Sequence, residues 1–180
     1  MSTPALFHFS DDPAIRRFTP RPVQVAVERG PAKDWLNGPL VWATDAAHSL
    51  LYLFPRDCPR ILIWPTLSTI PEDRDPWFAG TPHRAIAFIE QDWLERVQAA
   101  SVHRYAMPAA GFEDIGDTGM WVSREPVDPT GMDSLGDLPA ALAADRVALR
   151  VVPRLAPFKR FWRSTLHVSG LRLRHAQDWE

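Results

Sequence analysis

The stretch Leu40–Trp64, LVWATDAAHSLLYLFPRDCPRILIW, influences the predicted fold and the predicted site more than any other part of the chain. Apolar runs alternate in it with a histidine, two aspartates, two arginines and the only cysteine. Burying ionisable groups is costly unless they are paired, so a purely structural core would be mostly aliphatic here. The pattern therefore predicts a segment that lines a cavity.

The same stretch predicts two strands with a helix between them. Leu40–Thr44 and Ile61–Trp64 are rich in β-branched and apolar residues, as buried strands are. Thr44 or Asp45 can cap a helix that runs to about Phe54, where Pro55 ends it. The polar groups of this helix face either the cavity or, as a cap and packing residues, the core.

Outward from this stretch the elements are short and strands predominate. Alternation and β-branched runs predict strands at Ala5–Ser10, Arg84–Ile89, Val102–Met107, Met120–Arg124, Val147–Val152 and Thr165–Arg174, the last with a bulge or turn at Ser169-Gly170. Helices are predicted at Gln91–Ala100 and after Asp137, and residues 65–82 are predicted to be a Pro-rich lid or binding loop. The elements do not follow a βαβ rhythm, so their order favours an α+β fold with a few short helices. We expect a mostly antiparallel sheet, split or continuous, in a single globular domain over 1–180.

Composition narrows the class of protein. The chain has 180 residues, 46% hydrophobic and 23% charged, and its formal net charge of −2 gives no global attraction to nucleic acid or to an anionic membrane. No apolar run could span a bilayer, and the N-terminal residues do not resemble a secretory signal. A single cysteine, Cys58, is consistent with a reducing cytoplasm, and we expect a cytoplasmic protein with that thiol buried.

Two histidine groups are candidate ligand-binding residues. His8 and Ser10 are two apart on a predicted strand, so they point to one face and together suit a ribose diol or a carboxamide. Asp45, His48 and Tyr52 have the i, i+3, i+7 spacing of one helical stripe, where Tyr52 could stack on an aromatic ring. A satisfied core histidine and a packed tyrosine are the structural alternatives.

Two further candidates are charged. Arg21 and Arg56 lie next to prolines, which suits bidentate binding of phosphate or carboxylate, although exposed charge pairs are an alternative. Glu125 in WVSREPV is a candidate catalytic carboxylate, and a solvated turn residue is the alternative. The scattered histidines show no metal-ligand spacing, and no Gly-rich phosphate loop or Cys-x-x-Cys pair is present, so we expect no metal.

The runs LFHFSDDPAIRRFTPR, VWATDAAHSLLYLFPRDCPR, WVSREPVDP and STLHVSGLRLRHA resemble a bacterial family of uncharacterised function over nearly the whole chain. More distantly, their order is similar to the ADP-ribosyltransferase-like superfamily, which includes RNA 2′-phosphotransferases. That resemblance implies NAD as the cofactor, with His8 and Ser10 binding its ribose. It also implies that Tyr52, which follows the strand containing Trp42 and Thr44, stacks on the nicotinamide ring.

The same resemblance places the usual catalytic glutamate at Met120 or Trp121, so Glu125 is the nearest carboxylate and the glutamate position is changed. The chain is therefore interpreted as an ADP-ribosyltransferase-like protein that binds NAD or another nucleotide. A non-catalytic module for a small ligand or a protein, bound through Trp42 or Tyr52, is the alternative. The basic residues Arg160, Arg163, Arg172 and Arg174 are interpreted as a solvated face, and neither nucleic acid nor a membrane is an expected partner.

Overall fold

The protein has an α+β fold with mostly antiparallel sheets, as the sequence predicts. The computed structural model describes residues 3–26 and 28–180. The strands are β1 Leu6–Ser10, β2 Val41–Asp45, β3 Arg60–Trp64, β4 Ala85–Glu90, β5 Val102–Met107, β6 Glu113–Asp114, β7 Met120–Ser123, β8 Gly131–Leu135, β9 Val147–Val152 and β10 His167–Leu171. The helices are α1 Pro71–Phe78, α2 Leu94–Ala99 and α3 Leu138–Ala144, with 3-10 helices at Asp34–Asn37, Ala46–Tyr52, Gln91–Trp93, Ala156–Arg163 and Leu173–His175.

The strands form two sheets that belong to two compact units. The first unit comprises the residues up to Ser49 together with His103–Ser134, and the second comprises Leu50–Val102 and Leu135–Glu180. The first unit contains a six-stranded sheet of order β6-β7-β2-β1-β5-β8, and the second a four-stranded sheet of order β10-β3-β4-β9. The pair β4–β9 is parallel. That the chain folds as one domain stays a prediction.

Each unit has its own hydrophobic core. In the first unit, one face of the sheet packs against the segments before β2 and after β5. The residues of this core are Leu6, Phe18, Val41, Ala43, Tyr105, Met107, Phe112 and Val127. In the second unit, β3, β4 and β10 pack against α1 and the 3-10 helix at 156–163. The residues of this core are Ile61, Ile63, Phe78, Ile86, Phe88, Leu155, Phe161 and Leu166. All six residues of β4 are buried, which explains its continuous apolar pattern.

Three predictions about elements are corrected. The helix after β2 is a 3-10 helix that ends at Tyr52, so residues three apart share a stripe and the i, i+3, i+7 alignment of an α-helix does not apply. Residues 65–82 contain α1, because Pro71 suits the first turn of a helix and acidic residues follow it there. Ser169 and Gly170 form neither a bulge nor a turn, since both pair regularly with β3.

Cys58 is buried with no exposed surface, as expected. Burial raises the pKa of its thiol to about 12, and the nearby Arg60 only partly opposes that effect. The thiol is therefore protonated and inert at neutral pH. Among the described residues, no helix is long and apolar enough to cross a membrane.

Candidate functional site

One face of the first unit's sheet carries most of the groups that are able to do chemistry. Leu6 pairs with Asp45 and Phe7 with Thr44, so the register sets His8 opposite Ala43. Ala43 in turn pairs with Trp121 on β7. Directly paired residues point to the same face and alternate residues share a face. His8, Asp45 and Trp121 therefore lie on one face, which is also the face of the core residues Leu6 and Ala43. The Cα atoms of His8 and Asp45 are about 7–8 Å apart as diagonal neighbours.

The imidazole of His8 is held in a fixed orientation. Its Nδ1 lies 2.7 Å from the carbonyl oxygen of Trp42 on the next strand. A carbonyl oxygen can only accept, so Nδ1 carries the proton and Nε2 carries the lone pair of the neutral ring. The ring also packs against Phe18, with centroids 4.5 Å apart.

The segment that carries Phe18 is fastened to the sheet at several points. The Tyr105 hydroxyl donates to the Asp12 carbonyl at 2.6 Å and accepts from the Ile15 N–H at 3.1 Å. Phe18 exchanges two main-chain hydrogen bonds of 2.8 Å with Val127. Residues 12–18 therefore form a fixed wall beside His8.

An exposed ion pair adds to this wall. Arg17 binds Asp128 through two bonds of 2.7 Å, and these bonds hold the pKa of the Asp128 carboxyl below its usual range. A bidentate guanidinium–carboxylate pair fixes direction as well as distance, although its net effect on stability at the surface is small. Here its geometry ties residue 17 to residue 128, next to the Phe18–Val127 pairing.

The second imidazole, His48, is oriented by a carboxylate. Oδ1 of Asp45 accepts from the His48 main-chain N–H at 2.9 Å and from its Nδ1 at 2.7 Å. Asp45 is thus the helix cap that the sequence predicts, and it also binds the ring of the same histidine. Because the carboxylate accepts at Nδ1, Nε2 carries the lone pair in neutral His48. Both side chains are about one quarter exposed.

Gly119 allows this pair to form. The Asp45 N–H donates to the Gly119 carbonyl at 2.8 Å, which brings the turn before β7 against the imidazole. A Cβ atom at position 119 would lie 2.2 Å from Nδ1 of His48 and 2.9 Å from Cγ of Asp45. The residue also has a left-handed φ of +68°. Only glycine fits at position 119. We call the group formed by Asp45, His48 and Gly119 the imidazole corner.

Not all of the other predicted ligand residues of β1 and β2 lie on the same face as His8. Ser10 shares its face, but it is buried and its hydroxyl accepts from the Asp12 N–H at 3.1 Å. Trp42 and Thr44 point to the opposite face, because Thr44 pairs with Phe7 rather than with His8. The Thr44 hydroxyl is buried without a hydrogen-bond partner among the described residues. His8 therefore does not share a face with Trp42 and Thr44, since alternate strand residues point apart, and the ligand-binding roles predicted for these residues stay predictions.

The charged candidates lie outside this face or in the other unit. Arg21 is exposed and pairs with Leu40 through its main chain. Glu125 is exposed in the turn after β7, where the Ser123 hydroxyl accepts from its main-chain N–H at 3.2 Å. Tyr52 and Arg56 belong to the second unit, and the Arg56 carbonyl accepts from Nε of Arg172 at 3.1 Å. The roles predicted for these residues stay predictions.

A shallow groove of about 500 Å³ runs along residues 13–16 of the wall in the first unit. It is lined by residues 13–16, Tyr105 and residues 129–132, and it contains none of the predicted site residues. The described residues also contain no group of three or more side chains that could hold a metal ion.

The sequence signals that locate this face are weak. Asp45 and His48 have a visible i, i+3 spacing, which indicates a cap but not a bond to the ring. Gly119 is one of several glycines in a turn-rich stretch, and its contact with His48 spans 71 positions along the chain. Nothing in the sequence around Trp121 and Phe18 indicates that these residues lie near His8. Strand register, which periodicity does not specify, brings them together.

Comparison with known proteins gives a family without an activity. Searches of curated proteins and of solved structures found no match. A family model described as a family of unknown function (DUF6886) matches residues 7–176. The chain belongs to this family of unknown function, DUF6886.

Proposed function

We propose that the first unit binds a small nucleotide-type ligand through the face that carries His8 and the imidazole corner, with NAD as the first candidate. The observation that carries the proposal is the fixed orientation of two imidazoles, one on this face and the other bonded to Asp45 of the same face, each with its Nδ1 bonded to an acceptor. In both rings Nε2 is then the accepting nitrogen, which suits hydroxyl donors such as a ribose diol. Trp121 on the same face is partly buried against the core, and only its remaining exposed part is open to a base or a nicotinamide ring.

The resemblance to ADP-ribosyltransferase-like proteins supports NAD as the nucleotide, because it implies a ribose-binding histidine at His8. It gives less support to catalysis. The implied glutamate position is occupied by Met120 and Trp121, and Glu125 is exposed in a turn. A carboxylate stabilises an oxocarbenium-like transition state only when it lies beside it. Binding is therefore the proposed function, and ADP-ribosyl transfer through Glu125 is a further step to be tested.

Calorimetric titration with NAD tests the proposal. We expect saturable binding that weakens at least tenfold in His8→Ala and in His48→Ala, since each variant removes one oriented acceptor. His175→Ala, an exposed histidine of the second unit, is the matched control and should bind like the parent. Titrations with ADP-ribose, adenosine and nicotinamide show which part of the ligand is recognised.

The absence of saturable binding up to millimolar NAD, with all proteins folded, would contradict the proposal. Binding that survives both histidine substitutions would place the ligand elsewhere. If NAD binds, the release of nicotinamide by the parent protein and by Glu125→Ala shows whether the bound ligand reacts. Without turnover, the non-catalytic binding module becomes the preferred function.

A further inference from the structure

Residues 146–177 carry a strong local excess of positive charge. They contain eight of the chain's 20 lysines and arginines and none of its 22 aspartates and glutamates, although the net charge of the chain is −2. The whole segment lies in the second unit. Seven of the eight side chains are exposed, and Arg172 is partly exposed. The average charge of the chain therefore conceals a cationic surface.

Most of these cations have no carboxylate partner. Arg154 pairs with Asp178, and Lys159 donates to the carbonyl oxygen of Glu180. Within residues 3–26 and 28–180, no ion pair involves the remaining six, which are Arg146, Arg150, Arg160, Arg163, Arg172 and Arg174.

Several carboxylates next to the segment bind other groups. Oδ1 of Asp57 lies 3.7 Å from Nε2 of His175. Asp73 accepts two bonds from Thr165, and these bonds lower the pKa of its carboxyl. Asp92 accepts from the side chain of Gln177. These acidic groups reduce the positive potential at the border of the segment, but they do not neutralise its arginines.

The 3-10 helix Ala156–Arg163 presents an aromatic side chain among these cations. Phe158 and Phe161 point inward and pack on Phe88, at centroid distances of 4.6 and 5.5 Å. Lys159, Trp162 and Arg163 lie on the exposed side, and 47% of the surface of Trp162 is exposed. Core packing does not require a large indole to be exposed among basic residues, so its exposure points to another role.

Gly170 determines where this indole lies. A Cβ atom at position 170 would be 2.9 Å from the Trp162 ring and 2.5 Å from the Leu173 side chain. Glycine in β10 therefore lets the indole lie directly on the strand, two positions before Arg172. Trp179 is next to it, with ring centroids 6.0 Å apart, and the Lys159 ammonium lies 4.7 Å over Trp179. We call Lys159, Trp162 and Trp179, together with the arginines that are next to this contact in sequence, Arg163, Arg172 and Arg174, the Trp162 patch.

We propose that the Trp162 patch binds single-stranded nucleic acid. Guanidinium groups without carboxylate partners attract the phosphate backbone, and an exposed indole provides a stacking surface that every base can use. A duplex keeps its bases stacked on each other, so the indole favours a single strand. The sequence alone favours a solvated basic face. The exposed indole of Trp162, which lies against β10, and the lack of ion pairs at the six arginines among the described residues change that interpretation. Neither observation depends on NAD binding.

Fluorescence anisotropy of a labelled 12-nucleotide oligo(U), measured from 20 to 200 mM salt, tests this inference. We expect binding whose affinity falls steeply with salt. Trp162→Ala should weaken it about tenfold by removing the stacking surface, and Trp162→Phe should retain part of it. Arg163→Ser combined with Arg174→Ser should lower the slope of log K against log salt by about 1.4, at about 0.7 per phosphate contact.

The matched control is Arg16→Ser with Arg124→Ser, which removes the same charge from exposed positions of the first unit and should change neither quantity. Circular dichroism establishes that each variant is folded. An affinity unchanged in folded Trp162→Ala and Trp162→Phe would overturn the proposal. Equal affinity for a duplex or for heparin of matched charge would do the same, because it would reduce the patch to a nonspecific cationic surface.

Discussion

At the scale of single residues, the imidazole corner shows how one missing side chain controls a polar pair. The bond between Asp45 and His48 has room to form because Gly119 lacks a Cβ atom, which would overlap both side chains. A carboxylate bound to Nδ1 fixes both the tautomer and the direction of the imidazole ring. An isolated surface histidine has no such constraint. The site is therefore specified as much by the absence of a Cβ atom as by the polar groups.

We predict that Gly119→Ala disrupts this corner and destabilises the protein. Gly116 is the matched control, because it has a similar φ of +65° and an added Cβ would meet nothing within 4 Å. Gly116→Ala should cost about 1–2 kcal/mol for the left-handed backbone. Gly119→Ala should cost about 1–3 kcal/mol more for the overlap with His48. Urea unfolding measures both values, and equal losses would show that the contact contributes nothing.

At the scale of elements, a buried guanidinium holds the loop between the Ala46–Tyr52 helix and β3. Arg60 donates from Nε and from a terminal nitrogen to the Leu51 carbonyl, at 3.0 and 2.8 Å, and to the Cys58 carbonyl at 2.9 Å. It also lies 5.0 Å over the Phe54 ring. Burial lowers the pKa of Arg60 to about 10, which leaves the group charged at neutral pH. The cation thus compensates two carbonyls that the short turn cannot pair.

Arg60→Met should therefore destabilise the protein strongly. It removes three hydrogen bonds and leaves the Leu51 and Cys58 carbonyls buried, for an expected loss of about 3 kcal/mol. Arg96→Met is the control, because Arg96 is exposed on α2 in the same unit and its loss should be within about 0.5 kcal/mol. Chemical denaturation of the two variants makes the comparison, and a loss below 1 kcal/mol for Arg60→Met would refute this role.

At the scale of the whole molecule, the two compact units raise the question of cooperativity. The chain passes between them after Ser49, Val102 and Ser134, so neither unit is continuous in sequence. A unit made of two separate chain segments must close a long loop before its core can form. This connectivity favours folding of the whole chain as one domain over 1–180.

We predict a single unfolding transition in which far-ultraviolet circular dichroism and tryptophan fluorescence coincide. Gly119→Ala, in the first unit, and Arg60→Met, in the second, should each shift the whole transition. If each substitution moved only one of two separate transitions, the units would be independent domains and the prediction of one domain would be wrong.

Much of the fold follows from local pattern. The bounds of β5 and β9 agree with alternation and β-branching in the sequence. Asp137 caps α3 by accepting from the Ala140 N–H, as its side chain and position predict. The helix after β2 is less predictable, because a 3-10 helix and an α-helix can begin with the same cap and their periods diverge only slowly over seven residues.

The sequence by itself determined the α+β class, most of the strands, the cap of α3 and membership of DUF6886, because these depend on residue types within short windows. It did not indicate β6 and β8. Only the tertiary structure decided that His8 shares a face with Asp45 and Trp121, while Trp42 and Thr44 point away. It also decided that Gly119 meets His48 and that Trp162 lies on Gly170. The physical reason is strand register: a shift of one residue moves every side chain to the other face, and long-range packing sets that register.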